Sequence, residues 1–411
     1  MSGLNNDKSN KPMPLEGVKV VEYGVFHAGP GASAILGDLG AEVIKIENGV
    51  GDPERYWTTL GGLDVSKPDG ESIWFEISNR NKKGIQLDIK KEKGLEILYS
   101  LVKEADIFMT NLRKSTKKKL KIDYEAIYRI NPKIIHANVS GFGPEGPFSD
   151  HGAFDPLGQS RSGMMYTTGG EEPTLINLGI LDQSTAIAAS HGIITALYNR
   201  ERRGVGQEIH VSLYSAALWV MYANMVILGG LSIEPNLNWS RSKNSPLRNR
   251  FCCKDGKWIM GTHHPEEKYW PVFCEITGQP DILSDPRFKD NASRIANCPE
   301  LVEIFDKVFA SRTQEEWMKI FQENGMMFSP VYRNVDVLND EQALVNDYLV
   351  DFEHPLLGKM KIPGYPIHFS ENSAGIQKSA PTLGEHTDLV LSQMGFTDEE
   401  IRKFREDEVI P

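Results

Sequence analysis

Cysteine is scarce in this chain: four in 411 residues, at Cys252, Cys253, Cys274 and Cys298, with no CxxC pair and no zinc-ligand spacing. That argues against a disulfide framework and against a structural zinc, and free thiols fit a reducing, cytoplasmic compartment. Long hydrophobic runs are missing too. The longest apolar stretch, Ala216 to Leu228, contains Asn224 and is too short to cross roughly 30 Å of hydrocarbon. The opening residues MSGLNNDKSNKPMPLEG are polar and lack the apolar core of a signal peptide. Positive charge is in deficit, 45 basic against 56 acidic residues for a net charge of −11. This argues against a nucleic-acid or anionic-membrane surface, while leaving room for a local basic pocket. Glycine and proline are near their ordinary frequencies, so long disorder is not expected. Together these absences predict a soluble, cytoplasmic, folded enzyme and leave its reaction open.

What is present is enough apolar residue, 40% of the chain, for a sizeable core. The length exceeds the usual domain of about 100–200 residues, which predicts two domains or one large one. After a tail ending at Gly17, strand-like and helical patterns alternate. Gly17–Tyr23, Glu42–Glu47, Ile85–Ile89, Asp106–Thr110 and Lys133–Ser140 read as strands. Helical spacing falls at Pro30–Leu39, at Glu92–Glu104 with Leu95, Leu98, Leu101 and Val102 on one face, and at Tyr124–Ile130. This βαβ alternation predicts an α/β fold with a parallel sheet covered by helices. Gly51–Trp74 reads as loop. Further helices are expected at Asp155–Met165, Asp182–Arg202 and Ser212–Leu228, and a strand at Gln207–Val211. A Pro/Asn-rich linker precedes a change of character at Phe251. From there we expect a smaller α+β domain over 240–335, with linkers at 226–239 and 336–344. Residues 15–225 and 345–411 are expected to form the large domain. The last helix carries a capping box, Thr397 with Glu400.

Three features carry candidate chemistry. Gly29–Ala34 fits the dinucleotide pattern G-x-G-x-x-G/A, with Glu47 near the place of a ribose-binding acid, which would make an NAD-dependent dehydrogenase. The glycines stand several residues beyond the strand, however, and a loop entering a helix can hold any phosphate. Arg113 and the lysines 114, 117, 118, 119 and 121 form either a solvated face or a seat for the phosphates of a nucleotide-like ligand. Asp182 precedes a helix rich in small residues. It reads as an N-cap, as a nucleophile toward an acyl group, or as both. His263, His264, Glu266 and Glu267 resemble a metal cluster only loosely and read as a loop. No metal is expected.

Over about residues 15–400 the chain resembles the class III CoA-transferases, the family of formyl-CoA transferase, carnitine CoA-transferase and the 2-hydroxyacyl CoA-transferases. The motifs are LEGVKVVEY from Leu15, GDLGAEVIKIE from Gly37, NRNKKGIQLD from Asn79, NPKII from Asn131, SGFGP from Ser140, RGVGQEIHVSL from Arg203 and LGEHTD from Leu383. The resemblance implies a Rossmann-like large domain built from both chain ends, a small domain, and two subunits interlocked as a homodimer. It implies coenzyme A, delivered as an acyl-CoA, and a carboxylic acid as substrates. The family's nucleophilic aspartate matches Asp182. Its CoA-binding positions match His27 and Ala28, Leu87 to Lys90, Asn111, Leu112 and Arg113, Lys119, and Ser140, Gly141, Phe142 and Gly143.

Three departures from formyl-CoA transferase stand out. Asn48 and Ser140 replace basic residues, and the stretch Ser240–Arg250 replaces a Gly-rich lid. They weaken any expectation of oxalate or formate specificity. The segment Leu338–Pro355 looks most like the branch acting on 2-hydroxy acids, and Trp74, Phe75, Met164, Met165 and Tyr166 are candidate acyl-pocket residues. The alternative within the superfamily is a 2-methylacyl-CoA racemase. There a Gly-His-Asp motif supplies the base, but Phe154 stands where its histidine would be.

Overall fold

Short β-branched runs, buried on both faces, form the centre of the fold because parallel strands joined by helices are covered on both sides. The computed structural model describes residues 11–168, 171–177, 179–234 and 240–411. Its described residues fall into two units. One comprises Met1–Met165, Leu175–Glu234 and Asn346–Pro411, the other Tyr166–Thr174 and Pro235–Val345.

In the first unit β1 (Lys19–Glu22) leads to α1 (Ala28–Asp38), β2 (Glu42–Glu47), α2 (Trp74–Asn79), β3 (Lys82–Gln86), α3 (Glu92–Glu104) and β4 (Ile107–Thr110). Then come α4 (Lys114–Leu120), α5 (Tyr124–Ile130), β5 (Ile135–Ser140), α6 (Asp155–Ser162), α7 (Ile180–Arg203), β6 (Gln207–Ser212), α8 (Leu213–Val220) and α9 (Tyr222–Leu231). The six strands pair in parallel in the order β3-β2-β1-β4-β5-β6, that of a doubly wound Rossmann-type sheet. α3 buries Ile97, Leu98, Leu101 and Val102 against this sheet, each worth roughly 1.5–3 kcal/mol of transfer free energy. The chain end returns to the same core. Gln86 N–H donates to Thr387 Oγ1 at 3.0 Å, Asp88 N–H to the Val409 carbonyl at 2.9 Å, and Val390, Ile401 and Phe404 pack there.

Two expectations differ. The third strand begins at Lys82, not Ile85, because the Lys82 ammonium is fully buried and paired with Glu22 at 2.7 Å. The helix expected over Ser212–Leu228 is two helices, α8 and α9, bent by 73° at Met221. No single helix among the described residues is long and apolar enough to cross a membrane.

The second unit has a three-stranded antiparallel sheet (Arg250–Cys252, Trp258–Gly261, Phe328–Val331) with the helices Glu266–Ile276, Cys298–Phe309 and Gln314–Glu323 around it. Its core is aromatic, with Phe251 stacked on Phe309 at 4.4 Å and Phe321 on Phe328 at 4.0 Å. His263 is structural here. Its Nδ1 meets the Leu247 carbonyl at 3.0 Å and its Nε2 accepts from Met327 N–H at 2.9 Å.

Candidate active site at the carboxyl ends of the strands

Strand order reverses between β1 and β4, so the loops leaving these two strands diverge and open a crevice. Asn111, just after β4, holds the edges of that crevice together. Its Oδ1 accepts from Val25 N–H at 3.0 Å and its Nδ2 donates to the Val25 carbonyl at 2.6 Å. The loop after β1 is also tied to the loop after β2, where Asp52 Oδ1 accepts from the N–H groups of Phe26 (3.1 Å) and Glu54 (3.0 Å). Phe26 is thereby held at φ 58°, a conformation uncommon for a bulky residue. Beneath both loops lies a buried charge network. Lys45 Nζ meets Glu22 and Asp52, each at 2.9 Å, and Lys82 Nζ meets the other oxygen of Glu22 at 2.7 Å. Such groups are tolerated only when fully paired.

Asp182 lies in the first turn of α7 and is not its cap. Capping falls to Asp155, whose buried carboxylate accepts from Leu181 N–H at 2.7 Å, Asp182 N–H at 3.0 Å and Gln159 Nε2 at 2.6 Å. A carboxylate at a helix N-terminus is favoured by the exposed amides. Asp182 is different. Burial, and then the negative charge of Asp155, push its carboxyl up to about 7. Two carboxyls set side by side in unlike environments are a signature of acid–base or nucleophilic sites.

Asp182 lines two cavities. The smaller, about 530 Å³, is walled by the rings of Phe26, Tyr56, Trp57, Trp74 and Phe154, with Glu54, Asp155 and Asp182 and, among the described residues, no lysine or arginine. The larger, about 860 Å³, is lined by His27 and Ala28, by Asn111, Leu112 and Arg113, by Ser140, Gly141 and Gly143, and by Lys114, Lys117 and Lys118. Glu125, Glu145 and Glu208 balance part of this charge at its rim. Gly152 matters here: a Cβ on it would come within 2.5 Å of the Arg113 guanidinium.

Not every expected residue reaches these cavities. Leu87 is 1% exposed in the core beside α3, while Lys90 and Lys119 point to solvent outside the lining. Phe142 packs on Phe148 at 5.5 Å instead. Of the five acyl-pocket candidates only Trp74 lines the smaller cavity. Phe75 is buried under the Arg55 guanidinium, 3.8 Å from its ring centre, and Met164 is core. The residues from Gly29 to Ala34 are buried within α1, where a Cβ at Gly29 would strike Met109 and Asn111 at 3.0 Å. These glycines serve helix packing, which removes the alternative reading of them as a dinucleotide loop. Sequence reasoning missed Glu54, Trp57, Ser78 and the capping role of Asp155. Only the Gly/Pro-marked loop 51–74 hinted that something was held there.

With this geometry in hand, comparison with known proteins fixes the class. Residues 15–387 match CoA-transferase family III, and the chain belongs to that family of enzymes, which work on CoA thioesters. It is 33% identical to (R)-2-hydroxy-4-methylpentanoate CoA-transferase of Clostridioides difficile, over 97% of this chain and 100% of that one. It is 32% identical to succinyl-CoA:glutarate CoA-transferase of Mus musculus, over 94% and 87% of the two chains. A CAIB/BAIF family protein from Brucella suis superposes with a TM-score of 0.82 at 26% identity, covering 93% of this chain and 100% of the other.

Proposed function

We propose that this enzyme moves CoA from an acyl-CoA to a carboxylic acid with Asp182 as the nucleophile. The observation that carries the reading is that Asp182 borders both cavities, one apolar and one with the basic start of α4. In this reading the phosphates of CoA lie near Arg113 and Lys117, and the acyl group lies among the aromatic rings. The Asp182 carboxylate attacks the thioester carbonyl, the C–S bond breaks, and CoA thiolate leaves a mixed anhydride. The thiolate then attacks the aspartyl carbonyl, breaking the anhydride C–O bond, and the donor acid departs from an aspartyl-CoA thioester. The acceptor carboxylate attacks that thioester, the C–S bond breaks, and CoA thiolate leaves a second anhydride. The returning thiolate takes the new acyl group and frees Asp182. Splitting the exchange in this way replaces one difficult step by several easier ones. Developing oxyanions need N–H donors, and the turn at Gly141 to Gly143 borders the larger cavity, where the Gly143 N–H now donates to Ser140 Oγ at 3.1 Å and would have to exchange that partner.

The acceptor is a monocarboxylic acid with a branched or aryl side chain, such as a 2-hydroxy acid. A second carboxylate would enter the smaller cavity beside three carboxyls and no cation. The relative acting on 2-hydroxy-4-methylpentanoate supports this choice. A second copy of the chain completes the enzyme as an interlocked homodimer. Support comes from the exposed apolar side chains of Ile187, Tyr198, Trp219, Val226 and Leu231 along α7 to α9.

The test is incubation with one acyl-CoA and a panel of acids, followed by mass spectrometry of products and of quenched peptides. Asp182 is expected to carry CoA, and Asp182→Ala to abolish transfer while folding normally. Appreciable residual transfer by that variant sinks the mechanism.

A further inference from the structure

A buried chain of polar side chains lies beside Asp182 and takes no part in the steps above. Glu54 Oε1 is 3.1 Å from Ser78 Oγ, Ser78 Oγ is 2.7 Å from His27 Nδ1, and His27 Nε2 is 2.9 Å from Gln183 Oε1. Gln183 is the neighbour of Asp182 in sequence. Glu54 and Ser78 are 0% exposed and His27 3%. The remaining carboxyl oxygen, Glu54 Oε2, is buried without a hydrogen-bond partner.

Ser78 has one hydrogen to give, so this chain has two possible polarities. With Glu54 ionised, Ser78 donates to the carboxylate, His27 donates from Nδ1, and Nε2 is left bare. With Glu54 neutral, its O–H donates to Ser78, Ser78 donates to Nδ1, and His27 carries its hydrogen on Nε2. An unpartnered buried oxygen is costly on a carboxylate and far cheaper on a neutral acid. The surroundings act the same way. Burial and then the Asp52 carboxylate hold Glu54 well above the usual carboxylate range, and they outweigh the opposing pull of Lys45, of the Ser78 hydrogen bond and of Lys82. Those two ammonium groups are already paired with Glu22 and Asp52. Asp155 and Asp182 add further negative charge around the same cavity. His27 itself is neutral, since burial pushes it down to about 4.

We propose that Glu54 is a positioning residue: as the neutral acid it fixes, through Ser78, the Nε2–H tautomer of His27, which gives the site a neutral hydrogen-bond donor next to Asp182. That donor goes to Gln183 in this structure and to the thioester and anhydride oxygens during transfer. The second half of the inference rests on the CoA-transfer reading; the tautomer does not.

Two measurements test it. Imidazole nitrogen shifts of the full-length protein labelled with ¹⁵N-histidine, assigned with His27→Gln, report the tautomer without any substrate. Nε2–H is expected in the wild type and in Glu54→Gln, whose amide still donates to Ser78. Nδ1–H in the wild type overturns the proposal. In transfer assays, Glu54→Leu is expected to lower kcat about tenfold with KM for the acyl-CoA unchanged, and Glu54→Gln to recover most of that loss. Ser78→Ala breaks the same chain with a smaller change and should match Glu54→Leu. The wild type should also slow on the alkaline side, where Glu54 ionises, and Glu54→Gln should not. Wild-type kcat in both Glu54→Leu and Ser78→Ala, or an alkaline fall that persists in Glu54→Gln, refutes the positioning role. If the whole panel shows no CoA transfer, the function proposed above fails, while the nitrogen shifts still decide what Glu54 does.

Discussion

Asp182→Asn is expected to abolish transfer and at the same time to stabilise the fold at alkaline pH. The Asp182 carboxyl is raised from 3.8 to about 7 by burial and by Asp155. At about 1.4 kcal/mol per pH unit, ionising it inside the folded protein costs up to about 4 kcal/mol more than in the unfolded chain. Asp182 is only partly buried, and solvent screening reduces this to about 2–4 kcal/mol. The direction follows from the linkage between protonation and folding. The folded state binds the proton more tightly than the unfolded state, so protonation favours folding. This contribution is complete below about pH 4 and is lost as pH rises through about 7. Asparagine has the same shape and never ionises. Urea unfolding at pH 8 should therefore give the variant the larger stability. The gap should narrow steadily below pH 7 and close near pH 4. Protein concentration must be held fixed, because association shifts unfolding midpoints. Equal stability at pH 8, or an advantage that stays constant down to pH 5, would show that the site does not strain this carboxylate.

Other outcomes follow from the same geometry. Asp155→Asn keeps an oxygen for the amides of Leu181 and Asp182 but removes the neighbouring charge. The acid limb of the transfer profile should then move to lower pH, and an unmoved limb contradicts the coupling. Arg113→Ala should raise KM for the acyl-CoA about tenfold or more with little change in kcat, as loss of a charge-assisted phosphate contact would; steady-state kinetics at two salt concentrations check it. Trp74→Ala should weaken acids with branched or aryl side chains by about tenfold and leave KM for CoA thioesters of small acids near its wild-type value. Lys45→Met leaves the buried Asp52 without its ammonium partner and Glu22 with Lys82 alone, and should cost about 3–5 kcal/mol in urea unfolding.

Local signals were readable from the chain alone. α3 and α5 occupy the spans their apolar spacing predicts, and the capping box of Thr397 and Glu400 forms as expected. These elements are set by neighbours three and four residues away, which sequence displays directly. Lys82 misled because a lysine reads as surface unless its partner is known, and Glu22 is 60 residues distant. The bend at Met221 is invisible in an apolar run, because apolar residues are compatible with one helix or two. The site is the extreme case. Phe26, Glu54, Ser78, Phe154 and Asp182 come from five separate segments, and only the sheet's strand order brings them together. Asp182 is conspicuous in the sequence, but a cap and a nucleophile look alike there, and only the tertiary hydrogen bonds of Asp155 remove the cap reading.

The segment between these two aspartates has a practical consequence for protein engineering. Asp155 and Asp182 belong to one unit, yet the described residues of Tyr166–Thr174, which join α6 to α7, belong to the other. The second unit is therefore not a cassette inserted at a single point. Excising residues 235–345 would leave behind a strip of the second unit's own chain, in the connection between α6 and α7. Grafting in a homologous module would need two simultaneous splices, one of them inside the connection between α6 and α7. Chimeras that exchange only the long segment should fold poorly or lose activity, whereas those that also exchange 166–174 should keep both.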